Sequence, residues 1–197
     1  MVRILGAKKM NIYKRLDEFR RFQLWFDELP QLNINQKQKK SKTYNVLNTH
    51  ATWHEGTLGL ELLSSPHHAS NYAMLLTKFS PNNTRNFTFN ICFGTDVERV
   101  GFLSKIANNS DNVYLGVLAE YVPALEKCIE QWYKNNLLPC GELTVINGAY
   151  GKIGSSNISF LRTLNTILLL YKNWQELSSE DNLCELILKG CKENLII

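Results

Sequence analysis

Hydrophobic and polar positions divide the start of the chain into two unlike segments. In residues 7–29 apolar side chains recur every three or four positions, with lysines and arginines between them, and this spacing predicts an amphipathic helix that ends before Pro30. Its apolar positions are Tyr13, Leu16, Phe19, Phe22, Trp25, Phe26 and Leu29. Residues 31–42 are mostly polar and cannot bury a surface, which predicts a linker or a mobile basic loop. The lysines of this segment are Lys37, Lys39, Lys40 and Lys42.

From Tyr44 onward the pattern changes to short runs rich in β-branched and aromatic residues. Four such runs, separated by clusters of Gly, Pro, Ser and Asn, predict a small antiparallel sheet. They cover residues 44–53, 57–63, 72–79 and 86–93. An apolar stripe in residues 95–107 then predicts a short helix.

Three clearer helical patterns follow, with one further strand among them. The helices are predicted over residues 120–136, 156–173 and 179–193, and the strand over residues 141–146. Pro123 fits a first helical turn, and Ser155 or Ser156 can cap the second helix. This order predicts an α+β fold, a two-layer sandwich in which helices cover one face of a mostly antiparallel sheet, preceded by the N-terminal helix.

Charge and composition narrow the class of protein. The 197 residues include 22 Lys and Arg against 18 Asp and Glu, a net charge of +4, so only local basic clusters could attract nucleic acid, and a uniformly basic, histone-like protein is excluded. The N-terminus does not read as a secretory signal, and the longest apolar run, residues 167–171, is too short to span a bilayer. The five cysteines show no CxxC spacing. We therefore expect a cytoplasmic protein with reduced, mostly buried thiols rather than zinc ligands.

No pattern of residues predicts catalysis. The stretch from Gly148 to Lys152 contains two glycines and a lysine but lacks the GxxxxGK[ST] spacing of a nucleotide-binding loop. His50 and His54, followed by Glu55, resemble half of a metalloprotease motif, but they are predicted to lie at a turn rather than on the helix that this motif requires. We expect no enzyme activity, no GTP or other cofactor, and no metal.

The most informative pattern lies in residues 116–170. Gly116 opens a segment that reads Gly-Val-Leu-Ala-Glu-Tyr-Val-Pro-Ala-Leu, and Asn147 opens a second that reads Asn-Gly-Ala-Tyr-Gly-Lys-Ile-Gly-Ser-Ser, before a helix that contains Phe160. Together they resemble domain IV of elongation factor G, which is also found in the ribosomal protection proteins of tetracycline resistance. In that family the corresponding segments read Gly-Val-Ile-Pro-x-Glu-Tyr-Ile-Pro-Ala-Val and Asp-Gly-Ser-Tyr-His-Asp-Val-Asp-Ser-Ser, and the spacing to the Phe is the same.

The resemblance implies a fold of the ribosomal protein S5 domain 2 type, a βαβ sandwich with a left-handed crossover. The domain would cover residues 44–175, after a helix at 1–30 and a basic linker at 31–43, with a C-terminal helix at 176–197. The resemblance also implies a tip that enters RNA of the small ribosomal subunit. The implied tip residues are Gly148, Tyr150, Gly151, Lys152, Ser155, Ser156 and Asn157, with His67 and His68 in a second loop.

Three positions of the tip depart from the family pattern. Gly151 stands in place of a His, and Lys152 and Gly154 each stand in place of an Asp. The lysine adds a positive charge and the glycines allow backbone amides to approach a partner, which favours an anionic ligand such as an RNA phosphate. Other roles stay open. Tyr150 could stack on a base or pack under its own loop, and the basic linker and the two histidines could contact RNA or be solvated.

Two functions from different classes follow. The first is a non-enzymatic protein that binds RNA or the small ribosomal subunit through this tip and modulates translation by occupancy. The second is a protein-binding module, such as an immunity protein or antitoxin, that blocks a toxin or a translation factor by mimicry or occlusion.

Overall fold

The computed structural model describes residues 10–34, 38–46, 52–64, 71–94 and 100–191. Within these residues eight strands form one sheet and three α-helices pack beside it. The strands are β1 (Met10–Arg15), β2 (Arg21–Phe26), β3 (Gln38–Asn45), β4 (Gly56–Leu63), β5 (Tyr72–Pro81), β6 (Asn86–Phe93), β7 (Val113–Leu115) and β8 (Gly141–Gly151). The helices are α1 (Val122–Lys134), α2 (Asn157–Asn173) and α3 (Glu180–Gly190), with 3-10 turns at Ala119–Tyr121 and Trp174–Glu176.

The strand order is β1-β2-β4-β5-β8-β6-β3, and β7 pairs with β8 beyond the part of β8 that pairs with β6. The pair of β6 and β8 is parallel, and the other paired strands of the described sheet are antiparallel. Parallel neighbours need a crossover connection, and here the connection contains α1, so β6, α1 and β8 form a βαβ unit. The mostly antiparallel α+β architecture predicted from the sequence is confirmed.

The three predicted helices from residue 120 onward are confirmed, with small changes at their ends. Pro123 lies in the first turn of α1, where its missing N–H removes no helical hydrogen bond. Ser156 caps α2, because its hydroxyl accepts from the Ser159 N–H while the Ser159 hydroxyl accepts from the Ser156 N–H. Ser179 caps α3 in the same position.

The main core lies between the helices and one face of the sheet. Alternate residues of each strand point to this face, among them Leu58, Leu60 and Leu62 of β4. They pack against α1 and α2, whose buried residues include Trp132 and Tyr171. Helices therefore cover one face of the sheet, as predicted.

The other face is covered in part by irregular chain. Met74 and Leu76 of β5 point to this side and belong to a second apolar cluster. Residues 100–112, here called the strap, cover this cluster with Ile106 fully buried. The strap is tied to the sheet by hydrogen bonds from Phe102 N to Val113 O and from Leu115 N to Val100 O, each 2.9 Å long.

The predicted N-terminal helix is wrong, because the described part of residues 7–29 contains β1 and β2. A tight turn separates the two strands, in which the Asp17 carboxylate accepts the N–H groups of Phe19 and Arg20. Beyond it Phe22, Leu24 and Phe26 alternate toward the main core. Both faces of β2 are covered, so its apolar residues are nearly continuous and imitate a helical spacing.

Other predicted elements also differ. The basic linker is wrong for residues 38–43, which belong to β3. Of the strand predicted at 44–53, residues 44 and 45 belong to β3, residues 46, 52 and 53 lie in no strand, and residues 47–51 lie outside the described residues. The predicted helix at 95–107 is wrong for its described part, residues 100–107, where Leu103 is 98% exposed. The strands predicted at 57–63, 72–79 and 86–93 are confirmed, whereas β8 continues five residues past its predicted end at 146.

Candidate functional site

The connection between β8 and α2, residues 152–156 and here called the β8–α2 turn, lies where the sequence predicts a tip. Lys152 is exposed, and so is Asn157 in the first turn of α2. Two apolar neighbours are also exposed, Ile153 to 60% and Ile158 to 53%. The surface of this turn therefore combines one cation, one amide side chain and two isoleucines.

The Asp111 carboxylate of the strap holds the backbone of the turn. Its two oxygens accept the N–H groups of Ile153 at 2.9 Å and of Gly154 at 2.7 Å. The Lys152 N–H donates to Asn112 O at 2.9 Å. Through Asp111 and Asn112, the strap thus holds three successive backbone amides of the turn, those of residues 152–154.

Strand β5 and the Ser155 side chain also hold the same turn by hydrogen bonds. The Gly151 N–H donates to the Ser155 hydroxyl, which in turn donates to Tyr72 O, at 2.8 and 2.7 Å. The Tyr72 N–H donates to Gly154 O at 2.6 Å. The amides of Gly151, Lys152, Ile153 and Gly154 all donate within the protein, so these four are not free to meet an anionic partner. The predicted contact through amides at the start of α2 stays a prediction.

Gly148 and Tyr150 do not lie in a tip loop, since both are residues of β8. A Cβ atom at Gly148 would lie 2.4 Å from Met74 O, so glycine is needed there for the close approach of β5. Tyr150 is 8% exposed, and its ring centroid lies 5.8 Å from that of Tyr114 and 6.4 Å from that of Tyr121. Of the two roles left open for Tyr150, packing inside the protein is the one observed.

The remaining residues of the predicted tip are either exposed to solvent or occupied in holding the backbone of the turn. Ser155 and Ser156 are half-buried and use their hydroxyls to bind backbone, whereas Lys152 and Asn157 are exposed. Gly151 is buried, and a Cβ atom there would lie 2.0 Å from Asp111 Oδ2. His67 and His68 lie outside the described residues, so a meeting of two tip loops stays a prediction.

The basic residues predicted as a linker lie on the edge strand β3. Lys40 Nζ is 2.8 Å from the Glu126 carboxylate and Lys42 Nζ is 2.6 Å from Glu130 Oε1, both glutamates being on α1. The hydrogen bond to Glu130 raises the pKa of Lys42. Lys39 is exposed, and Lys37 lies outside the described residues. The described partners of β3 are β6 and α1, so these lysines are not brought together with the β8–α2 turn.

A buried carboxylate lies under the strap and was not predicted. Glu61 of β4 is fully buried, and its Oε1 accepts from the hydroxyls of Tyr72 at 2.7 Å and Ser104 at 2.5 Å. Burial raises the pKa of Glu61. The sequence does not single out Glu61, which stands among leucines, or Asp111, which stands in a polar loop. Neither acid belongs to a motif with a recognisable spacing.

Other candidates for chemistry do not assemble into a site. Among the described residues no three His, Cys, Asp or Glu side chains come together as metal ligands. All five cysteines are described and free, with Cys128 and Cys191 buried. His54 packs against Phe26, with ring centroids 4.8 Å apart, and His50 lies outside the described residues.

Comparisons with protein families, curated proteins and solved structures find no match to this chain. In the described part of the chain, each helix is too short or too polar to cross a membrane.

Proposed function

We propose that this chain is a non-enzymatic binding protein that contacts RNA, with the small ribosomal subunit as the first candidate, through the β8–α2 turn. In this proposal it has a domain of the elongation factor G domain IV type, with the fold of ribosomal protein S5 domain 2. It modulates translation by occupying its site, and the cell compartment is the cytoplasm.

The observation that carries the proposal is the exposed and rigidly held β8–α2 turn. Lys152 is exposed at the point where β8 ends and α2 begins, and the backbone beneath it is fixed by Asp111 and Ser155. A side chain on a fixed backbone loses less conformational freedom when it binds. The βαβ unit of β6, α1 and β8 further agrees with the arrangement that the resemblance implies.

The hydrogen bonds inside the turn limit which of its groups could contact RNA. Backbone amides that already donate to Asp111 and Asn112 are not free to bind a phosphate. The Lys152 ammonium would instead meet the phosphate, and Asn157 would hydrogen-bond to a base or sugar. Tyr150 is excluded as a stacking residue because its ring is buried.

Co-sedimentation with purified small ribosomal subunits over a series of salt concentrations tests the proposal. We expect binding at low salt that weakens as salt rises, because phosphate contacts release counterions. Lys152→Glu should weaken binding and reduce the slope of log K against log salt by about 1. Lys172→Glu is the matched control, since Lys172 is an exposed lysine at the opposite end of α2.

Two results would overturn it. The wild-type protein could fail to sediment with the subunits at low salt, or both charge reversals could weaken binding equally. In either case the β8–α2 turn is not an RNA contact.

The exposed isoleucines favour a second candidate, a protein-binding module of the immunity or antitoxin type. Ile153 and Ile158 are more than half exposed at the same turn, and apolar side chains grouped on a surface are typical of protein interfaces. A complex formed through them should survive high salt, because apolar contact is not screened. Ile153→Ser would weaken such a complex, whereas Lys152→Glu would change it little.

A further inference from the structure

The edge strand β3 has an unusual combination of length, regularity and exposure. It is the last strand in the sheet order, and no described strand pairs with its outer side. Its eight residues pair with β6 in continuous register from Gln38 with Phe93 to Asn45 with Asn86, without a bulge. Seven of the eight are exposed, Tyr44 being the exception. Alternate residues of such a strand direct N–H and C=O groups away from the sheet.

Proteins usually blunt exposed edges by shortness, proline, a bulge or charge. Strand β3 contains no proline and no bulge, and it is longer than the six-residue strand β1 at the opposite edge. The feature of β3 that matches this list is charge, carried by Lys39, Lys40 and Lys42.

Two of the three lysines lean toward the helix layer rather than outward. Lys40 and Lys42 bind Glu126 and Glu130 of α1, and Lys42 also lies over the Tyr44 ring at 5.3 Å from its centroid. The charges of Lys40 and Lys42 are thus partly offset by these two glutamates, whereas Lys39, on the alternate face of the strand, is exposed. The edge therefore carries its exposed positive charge at Lys39.

The charges select the kind of strand that can pair there. In an antiparallel pair of two copies centred on Ser41, Lys40 of one copy would lie opposite Lys42 of the other, and like charges directly opposite are destabilising. Strand β3 itself has no acidic residue, and Glu126 and Glu130 of α1, which pair with Lys40 and Lys42, offset this repulsion only in part. An extended acidic segment would avoid the repulsion and would place a carboxylate beside Lys39.

We propose that the outer edge of β3 binds an extended acidic segment of a partner protein by strand addition. The backbone of β3 supplies the hydrogen bonds, and Lys39 selects for acidic side chains, since the charges of Lys40 and Lys42 are already partly offset by α1. The surface is separate from the β8–α2 turn, so the proposal is independent of RNA binding.

Titration of the full chain with a synthetic peptide tests it. The probe is a peptide of about eight residues that alternates Glu and Thr, with amide exchange and NMR shift changes as readouts. We expect the shift changes to map to residues 38–45 and amide protection to rise there. The same peptide with Lys in place of Glu should not bind. The acidic peptide N-methylated at alternate residues should bind at least about tenfold more weakly, because it lacks the donors for strand pairing.

A charge reversal in the protein, rather than in the peptide, tests the same edge. Lys39→Glu should weaken binding of the acidic peptide roughly fivefold, whereas Lys172→Glu, on the exposed end of α2, should leave it unchanged.

Three results would overturn the proposal. The acidic peptide could fail to bind, its shift changes could map away from β3, or N-methylation could leave its affinity unchanged. A dimer of the free protein that is lost in a Ser41→Pro variant would assign the edge to a second copy of the chain instead.

Discussion

The two faces of the sheet are closed in different ways. The helix-covered face is closed by large apolar surfaces, with Trp132 of α1 and Phe160 of α2 almost fully buried. The strap-covered face has a smaller apolar cluster and depends on particular hydrogen bonds, from Ser104 to Glu61 and from the β8–α2 turn to Asp111.

This difference separates two sources of stability. Apolar burial depends on area and is insensitive to pH, whereas hydrogen bonds to carboxylates depend on geometry and on protonation. The strap also holds the backbone of the candidate site. We therefore infer that global stability depends mainly on the helix layer, while the shape of the β8–α2 turn depends on the strap layer.

The largest expected effect is on the helix-covered face. Trp132→Ala should lower the free energy of unfolding by about 3–5 kcal/mol, because it removes a fully buried ring that packs edge-on against Trp53. Urea denaturation followed by circular dichroism measures the change. The substitution should leave the proposed RNA contact of the β8–α2 turn unchanged at temperatures where the variant is folded.

Trp132→Phe is the control for this change. It keeps most of the apolar ring but removes the Nε1 donor to Asn165 Oδ1, 2.8 Å away, which should cost about 1–3 kcal/mol. If alanine and phenylalanine cost the same, the hydrogen bond rather than apolar area would be the source of stability, and the contrast between the two faces would fail.

A smaller effect is expected where the strap meets the turn. Gly151→Ala should cost about 1–3 kcal/mol, because the new Cβ atom would lie 2.0 Å from Asp111 Oδ2 and must displace that carboxylate. In an Asp111→Ala background the clash is absent, so the same glycine substitution should cost less. Urea denaturation of the four proteins of this double-mutant cycle measures the coupling. Additive effects would show that the Asp111 carboxylate does not lie against Gly151.

The sequence predicted the helical half of the fold better than the strands at its edges. Helices α1, α2 and α3 follow long periodic patterns with identifiable start signals, a first-turn proline at Pro123 and capping serines at Ser156 and Ser179, so local chemistry defines them. Strand β2 was misassigned because it is covered on both faces, and β3 because an exposed edge strand is polar in sequence. Both segments become strands because of tertiary pairing, β2 with β4 and β3 with β6.

The sequence predicted the position of the β8–α2 turn but not its detailed structure. Glycines and serines near residue 150 indicated a turn before α2, and Lys152 is exposed there. The sequence could not show that β8 extends through Tyr150, since the Asn-Gly pair at residue 147 is also typical of a turn. Nor could it place Asp111, which reaches the turn from 42 residues away in the chain.

The smallest expected effect is a pH dependence that belongs to the strap-covered face. Burial raises the pKa of Glu61, so the folded state holds this proton more tightly than the unfolded state, in which the pKa is about 4.3. The stability that Glu61 contributes is therefore complete below that value and is lost as the pH rises through the folded-state pKa. Glu61→Gln cannot ionise, and its free energy of unfolding should rise relative to wild type over this window by at most about 1.4 kcal/mol per pH unit.

Urea denaturation at a series of pH values measures that difference, with Glu185→Gln on the exposed side of α3 as the control for the loss of one exposed carboxylate. A constant offset between Glu61→Gln and wild type across the pH range would mean that Glu61 titrates alike in both states. That result would contradict the pH dependence expected of the strap-covered face. A difference confined to the expected window would instead show that the layer holding the candidate site responds to pH. Because Ser104 of the strap donates to Glu61, the amide exchange of residues 100–112 should follow the same curve.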